Sequence, residues 1–464
     1  MNSSRDRMGE EVVPAPKPMP GYTSGAPAAA LALRAGWNRL MSHKRSFAGL
    51  SGDMLSVGVS QVLAAIGQII GIRLLTEALS PAVFGEIALI VGASTLATSV
   101  LINPTMQALL RYYPECAQSD QGALTERMAR RRILSALWWA LPLSVPLLLI
   151  GLVQGWFGPS AASLLLLLVA IDGMKMFRTT VMNATRQHHR YGLWLIGEAW
   201  GRPLLAYGAT LWLGIHVELV LIAYIAVSLA LYTLLFRSTD REEPAAARGE
   251  VSEEDLLRRF EAYARPLIPL GIVGWVSGMA DRYMLGSLLS VQSVGMYAAA
   301  YGLASRPLLM LSSIAETSIR PLYLSALAAR DRQASRKYLV AWLVIVSASG
   351  LAACVLLTVF HRQLAYVLLG TEFREGSYLM PWIGAGYGLL ALSHVTTRIC
   401  YANDATRSVM ATEMAGALCA VVVGFLLINS YELQGAAMAV PIYFGVQFVL
   451  SAYLAHKSIQ SANK

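Results

Sequence analysis

Apolar residues in this chain gather into long runs and do not alternate with polar ones. Twelve runs of 20 to 26 residues lie at roughly 50–72, 83–104, 133–154, 161–182, 191–213, 217–236, 263–287, 294–319, 338–360, 377–399, 408–428 and 435–456. A helix rises 1.5 Å per residue, so each run can cross a hydrocarbon core of about 30 Å. The pattern predicts an all-α integral membrane protein with twelve transmembrane helices. The most polar internal segment, 238–262, divides them six and six. The expected plan is a cytoplasmic tail over 1–47, an N-terminal six-helix lobe over 48–237, a cytoplasmic linker over 238–262, a C-terminal six-helix lobe over 263–456 and a cytoplasmic tail over 457–464. The first tail holds Pro14, Pro16, Pro18, Pro20 and Pro27 and lacks the apolar core of a signal peptide, so it reads as disordered. The linker ends in a short amphipathic helix that reads as a surface feature.

Basic residues set the orientation. Arg127, Arg130, Arg131 and Arg132 follow the second run, Arg186 and Arg190 the fourth, Arg258 and Arg259 the sixth, and Arg330, Arg332, Arg336 and Lys337 the eighth. The alternate loops 155–160 and 288–293 carry neither Lys nor Arg. This alternation obeys the positive-inside rule and places both termini in the cytoplasm. The net charge of +9 therefore belongs to membrane topology and gives no reason to expect a nucleic-acid partner. Composition agrees: 56% of residues are hydrophobic and 14% charged, against about 25% charged in a soluble domain. Cys116, Cys354, Cys400 and Cys419 have no metal-ligand or disulfide spacing.

The two halves repeat. A shift of 210 residues sets LSPAVFGEIAL (79–89) over LSVQSVGMYAA (289–299) without a gap. Leu79, Ser80, Gly85 and Ala88 match Leu289, Ser290, Gly295 and Ala298. Both segments join the first and second helix of a half, and those first helices run the same way. Such parallel repeats, related by an axis along the membrane normal, suit alternating access around a central cavity.

Four stretches carry a family resemblance: RLLTEALSPAVFGEIAL (73–89), NATRQHHRYGLW (183–194), ADRYMLGSLLSVQSVGMYAAAYGLASRP (280–307) and LLGTEFREGSYLMPWI (368–383). In their order and spacing the chain resembles the Wzx-type polysaccharide flippases of the multidrug/oligosaccharidyl-lipid/polysaccharide (MOP) exporter superfamily. The resemblance implies a V-shaped, two-lobed, MATE-like bundle in the bacterial cytoplasmic (inner) membrane. It implies an undecaprenyl-pyrophosphate-linked oligosaccharide as substrate, turned from the inner to the outer leaflet for O-antigen, capsule or exopolysaccharide synthesis. A polysaccharide polymerase and a chain-length regulator would be the protein partners, beside membrane lipids. Twelve helices, where lipid II flippases of the superfamily usually have fourteen, favour the polysaccharide branch. The resemblance also implies that helices 1, 2, 7 and 8 line the cleft.

Charges within the apolar runs are functional candidates because each is costly there. They include Asp172, Lys175 and Arg178 on helix 4, Glu198 and Arg202 on helix 5, Asp281 and Arg282 on helix 7, Arg306, Glu316 and Arg320 on helix 8, His394 and Arg398 on helix 10, and Glu413 on helix 11. A diphosphate cargo calls for arginines, whose planar fork matches phosphate oxygens. Arg306, Arg320, Arg282, Lys175 and Arg202 are the candidate substrate ligands. Asp281, Glu316 and Asp172 are the candidate carriers of a coupling H+ or Na+; no other cofactor is expected. The competing explanation is self-neutralisation: Asp172–Lys175, Glu198–Arg202 and Glu316–Arg320 have helical pair spacing. Arg178 and Arg398 could snorkel to the interface. Arg306 has no acid within four residues and needs a partner from elsewhere. Gly67/Gly71, Gly274/Gly278 and Gly384/Gly388 have the spacing of helix-packing pairs. Trp138, Trp139, Trp156 and Trp382 read as interfacial anchors, and Pro266, Pro269 and the glycines of helix 7 as places for a bend.

No Walker loop, catalytic triad or HExxH motif occurs, so the chain reads as a transporter and not an enzyme. Two other functions remain open. One is a cation-coupled multidrug exporter of the same superfamily. The other is a non-transporting component of a polysaccharide-synthesis complex.

Overall fold

A computed structural model describes residues 57–118, 122–236, 253–403 and 405–462. The expected N-terminal tail and most of the expected linker lie outside them. Among the described residues the chain is helical: α1 (Val57–Ala78), α2 (Pro81–Ala97), α3 (Asn103–Gln118), α4 (Gly122–Val153), α5 (Pro159–Ala184), α6 (His188–Leu213), α7 (Val217–Phe236), α8 (Glu253–Ala264), α9 (Leu267–Leu288), α10 (Val291–Ala328), α11 (Arg332–Leu368), α12 (Met380–Ala402) and α13 (Thr406–Ala462). A 3-10 segment, Thr371–Leu379, precedes α12. Twelve spans result, because α2 and α3 form one span and α13 forms two. Glu432 breaks α13 with φ 51° and ψ −130°. Six helices could cross a membrane on length and composition alone. α6, α9 and α10, which carry charges in mid-span, are not among those six.

Local sequence explains the boundaries. Ser80 caps α2 by accepting from the Val83 amide, and Ser290 caps α10 by accepting from the Ser293 amide at 3.1 Å. The repeated Leu-Ser is thus a helix-starting device, in which the hydroxyl satisfies an amide that has no partner inside the helix. Asp331 caps α11 through the Ala334 amide at 2.9 Å. α6 ends at Gly214, whose φ of 94° suits a residue without Cβ. Pro266 and Pro269 fall at the start of α9, where proline is tolerated; α9 then runs unbroken to Leu288. The expected loop between the second and third spans is largely helix. α2 passes through a π turn at Thr98–Ile102 into α3, and α4 begins at Gly122. α10, with 38 residues, is about 57 Å long and outreaches a bilayer core.

α8 is docked rather than free. Its Leu256 and Phe260 are buried with Met106, Met128 and Ile133 of α3 and α4. Arg132 binds Glu261 at 2.7 Å, and Tyr112 packs on Phe260 with ring centroids 5.6 Å apart. The end of the linker is therefore held to the N-terminal lobe one turn before α9 begins.

The two halves meet along α2, α9 and α10. The repeated glycines face each other there. A Cβ on Gly85 would lie 2.9 Å from the Gly295 amide nitrogen, and a Cβ on Gly295 would lie 2.9 Å from that of Gly85. Each would also strike the carbonyl of the other hairpin, Val291 for Gly85 and Pro81 for Gly295. Pro81 and Val291 are themselves equivalent in the repeat, so the contact is reciprocal, as at a twofold axis. Around it, the Gly370 amide donates to Thr76 Oγ1 at 2.9 Å, and Phe84 meets Phe373 edge-on at 5.5 Å. Deeper along the seam, Tyr283 donates to the Leu89 carbonyl at 2.7 Å and Trp275 to the Gly92 carbonyl at 2.8 Å. Trp156, expected as an interfacial anchor, is 3% exposed and donates to the Gly286 carbonyl at 3.1 Å. Trp138 and Trp139 are exposed, as anchors should be.

Candidate functional site

Beneath the paired hairpins lies a cavity of about 570 Å³. α1, α2, α6 and α7 of the first half and α9 and α10 of the second line it. Phe84, Ile87 and Val91 on α2 give it an apolar wall. Three arginines, Arg202, Arg282 and Arg306, and one carboxylate, Glu198, supply its lining charges.

The three arginines are held differently. Arg202 belongs to a closed ring of charges between α5 and α6. It binds Asp172 at 2.9 Å and Glu198 at 2.8 Å, while Lys175 binds the same two acids at 3.0 and 2.8 Å. Ser94 of α2 donates to Asp172, Trp194 donates to Glu198, and Arg202 donates to Ser228 of α7 at 2.8 Å. Two acids and two bases cancel. The pairings expected within single helices are present, and cross-helix bonds join them into one unit.

Arg282 is 7% exposed and braced. It donates to Asp281 at 3.1 Å and to the Gly278 carbonyl at 2.9 Å, and its guanidinium stacks 4.2 Å from the centre of the Tyr301 ring. Tyr297 donates to the other oxygen of Asp281 at 2.6 Å, and Tyr387 donates to Tyr301 at 2.7 Å. Asp281 thus has no free oxygen, and Arg282 keeps only part of its donor fork for a ligand.

Arg306 has neither support. Among the described residues it makes no ion pair and no hydrogen bond, yet it is half-buried in the cavity wall. Pro307 follows it, and Gly302 lies one turn before it, packed on α1 where a Cβ would come within 3.0 Å of Ile72 Cδ1. A cation in this setting can satisfy its five donors only through water or an anion in the cavity.

The remaining candidates lie elsewhere. Asp172 and Lys175 sit in the α5–α6 ring without lining the cavity. Asp281 stands behind Arg282. Glu316 and Arg320 form a second cluster farther down α10: Arg320 binds Glu316 at 3.1 Å, and Arg398 of α12 approaches it at 2.8 Å. Arg398 is therefore paired and does not snorkel. Arg178 does not snorkel either. It is 5% exposed, contacts Glu126 of α4 at 3.4 Å and Tyr232 of α7 at 3.3 Å, and lies over the Phe236 ring at 5.1 Å. Gly67 and Gly71 pack against Trp200 and Pro203, and Gly384 and Gly388 pack against Leu357 and Gly350. Gly274 and Gly278 do not pack: a Cβ on either would meet nothing within 4 Å. Sequence reading passed over Tyr224 and Tyr301 as cavity residues. The Tyr297/Tyr301 spacing of one helical turn on α10, next to a buried acid–base pair, was the available signal.

Residues 266–426 match the MatE family. No curated protein sequence matches the chain. Among solved structures, the lipid II flippase MurJ in an inward closed conformation superimposes with a TM-score of 0.63 at 13% identity, covering 87% of each chain. A Vibrio cholerae MATE transporter superimposes with a TM-score of 0.60 at 13% identity, over 90% of this chain and 98% of that one. A MOP superfamily transporter from Pyrococcus furiosus, described as having a binding pocket of reversed polarity, gives 0.54 at 15% identity, over 88% and 97%. The chain has the fold of the MOP transporters, a multi-pass membrane architecture of two six-helix lobes.

Proposed function

We propose that this protein is a flippase. It would carry a lipid-linked oligosaccharide with a diphosphate bridge, such as undecaprenyl pyrophosphate bears, from the inner to the outer leaflet. The observation that carries the reading is Arg306, a cation with no ion pair or hydrogen bond among the described residues, in a cavity whose other charges are already engaged. Phosphate oxygens fit a guanidinium fork that has no protein partner. Arg282, whose charge Asp281 offsets, has part of its donor fork left beside it, and the neutral α5–α6 ring keeps the opposite wall from repelling an anion. The likeness to a protein named as a lipid II flippase is in keeping with such a cargo, and so is the cationic character of the cavity.

The hairpin-side contacts close one end of the cavity. By the arginine alternation that end is the outer one, which suits a cargo taken from the cytoplasmic leaflet. Rocking about the α2–α10 contact would part the hairpins and expose Arg306 to the other side. In the inner membrane of a bacterium this activity would feed synthesis of a surface polysaccharide, with H+ or Na+ as coupling ion.

The test is deletion of the gene in its host, followed by assignment of lipid-linked sugars to a leaflet. Accumulation on the cytoplasmic face with loss of surface polymer supports the proposal. Normal delivery to the outer face together with raised drug sensitivity replaces it with a multidrug exporter. Normal delivery with no drug effect and loss of surface polymer points to a non-transporting partner.

A further inference from the structure

α11 carries a second cationic feature, remote from the cavity. Arg332, Arg336 and Lys337 line an open recess together with Val340, Ala341 and Val344, all from this one helix. The cations occupy its first two turns, and the valines follow on the next two. Arg336, Val340 and Val344 recur every four residues, so they lie on one face. That face points away from the bundle. Trp342, Val346, Gly350 and Leu357 make the buried side, while Val340 is 50% and Val344 59% exposed.

Two observations separate this recess from an ordinary helix end. First, the three cations have no acidic partner among the described residues. The nearest carboxylate in sequence, Asp331, is occupied in capping the helix. Second, charge and apolar shelf are stacked in register along one face: three positive side chains, then an exposed valine ladder. A phospholipid has the same layout, an anionic headgroup followed by an acyl chain. The basic end is the one that the positive-inside pattern places in the cytoplasmic leaflet, where anionic lipids attract such clusters.

We infer that Arg332, Arg336 and Lys337, with Val340 and Val344 below them, form a binding site for an anionic phospholipid of the surrounding leaflet. The headgroup phosphate bridges the three cations and one acyl chain lies along the valines. The site is separate from the cargo cavity and does not depend on what the cavity carries.

Native mass spectrometry of the purified protein tests it, with phosphatidylglycerol and phosphatidylcholine of the same acyl chains titrated separately. The wild type should retain one phosphatidylglycerol that the Arg332→Gln/Arg336→Gln/Lys337→Gln variant binds on the order of a hundredfold more weakly, from about fivefold per charge. The single Arg336→Gln change should weaken it by about fivefold. The charge-keeping variant Arg332→Lys/Arg336→Lys/Lys337→Arg should retain it, and so should Arg258→Gln/Arg259→Gln, which removes cations from α8 instead. Equal binding by wild type and the glutamine variants overturns the proposal. Equal retention of phosphatidylcholine, or displacement by inorganic phosphate alone, does so too.

Discussion

The reciprocal glycine contact makes a quantitative prediction. In Gly85→Ala the new methyl would sit 2.0 Å from the Val291 carbonyl oxygen, and in Gly295→Ala 1.8 Å from that of Pro81. A carbon rests no closer than about 3.3 Å to a carbonyl oxygen, so α2 and α10 must part by roughly 1.3 Å in the first variant and about 1.5 Å in the second. Backbone atoms on both sides cannot rotate aside as a flexible side chain would. Overpacking of this kind costs about 1–3 kcal/mol, which is a shift of roughly 5- to 150-fold in the equilibrium between sealed and parted hairpins. The helices themselves gain, since Ala is favoured over Gly by about 1 kcal/mol, so melting of α2 or α10 cannot account for a loss. One separation relieves both clashes. The double variant should therefore cost little more than Gly295→Ala alone, well short of the sum. Spin labels at Ala82→Cys and Gln292→Cys, exposed and equivalent in the repeat, would report the distance in a background without the four native cysteines. Both alanine variants should populate longer distances, and the control Gly274→Ala, which has free space, should not. An unchanged distribution in the double variant, or additive effects of the two singles, would refute the reasoning.

Other perturbations separate structural from functional charges. Arg202→Ala leaves Asp172 and Glu198 to share Lys175 and should cost about 3 kcal/mol in a detergent unfolding assay. Arg306→Ala breaks no protein bond and should leave the same assay within about 0.5 kcal/mol of wild type. Trp156→Phe removes the donor to the Gly286 carbonyl and part of a buried ring, so it should weaken the lobe contact by about 1–3 kcal/mol and lengthen the spin-label distance. Phe260→Ala should release α8 from α3 and α4, at a cost of roughly 3 kcal/mol. Faster trypsin cleavage at Arg258 and Arg259 in inside-out vesicles would show it.

The span plan was legible because lipid imposes it: every run of apolar residues long enough to cross became helix, including the pair that Glu432 separates. The repeat was legible as well, down to the serines that cap α2 and α10. What the repeat did not reveal is that Gly85 faces Gly295. Lipid is as apolar as a helix interface, so hydrophobic periodicity hardly marks which face meets a neighbour. The same limit explains Arg178 and Trp156. Each lies near a span end and reads as an anchor, but its partners, Glu126 and the Gly286 carbonyl, come from helices distant in sequence. Gly274 and Gly278 show the converse, a packing motif with nothing packed on it. Arg306 could be singled out because its isolation is local: no acid within reach on its own helix. Whether another helix would supply one was beyond the sequence, and in the structure none does among the described residues.

The most direct test of the transport account uses purified protein in proteoliposomes. A polyprenyl-diphosphate oligosaccharide is placed in one leaflet, and its arrival in the other is followed for wild type, Arg306→Lys and Arg306→Ala. Wild type should move the lipid, Arg306→Lys should retain part of the rate, and Arg306→Ala should lose at least about tenfold while remaining folded, as expected when a charge-assisted phosphate contact is removed. Equal rates for wild type and Arg306→Ala would contradict the account.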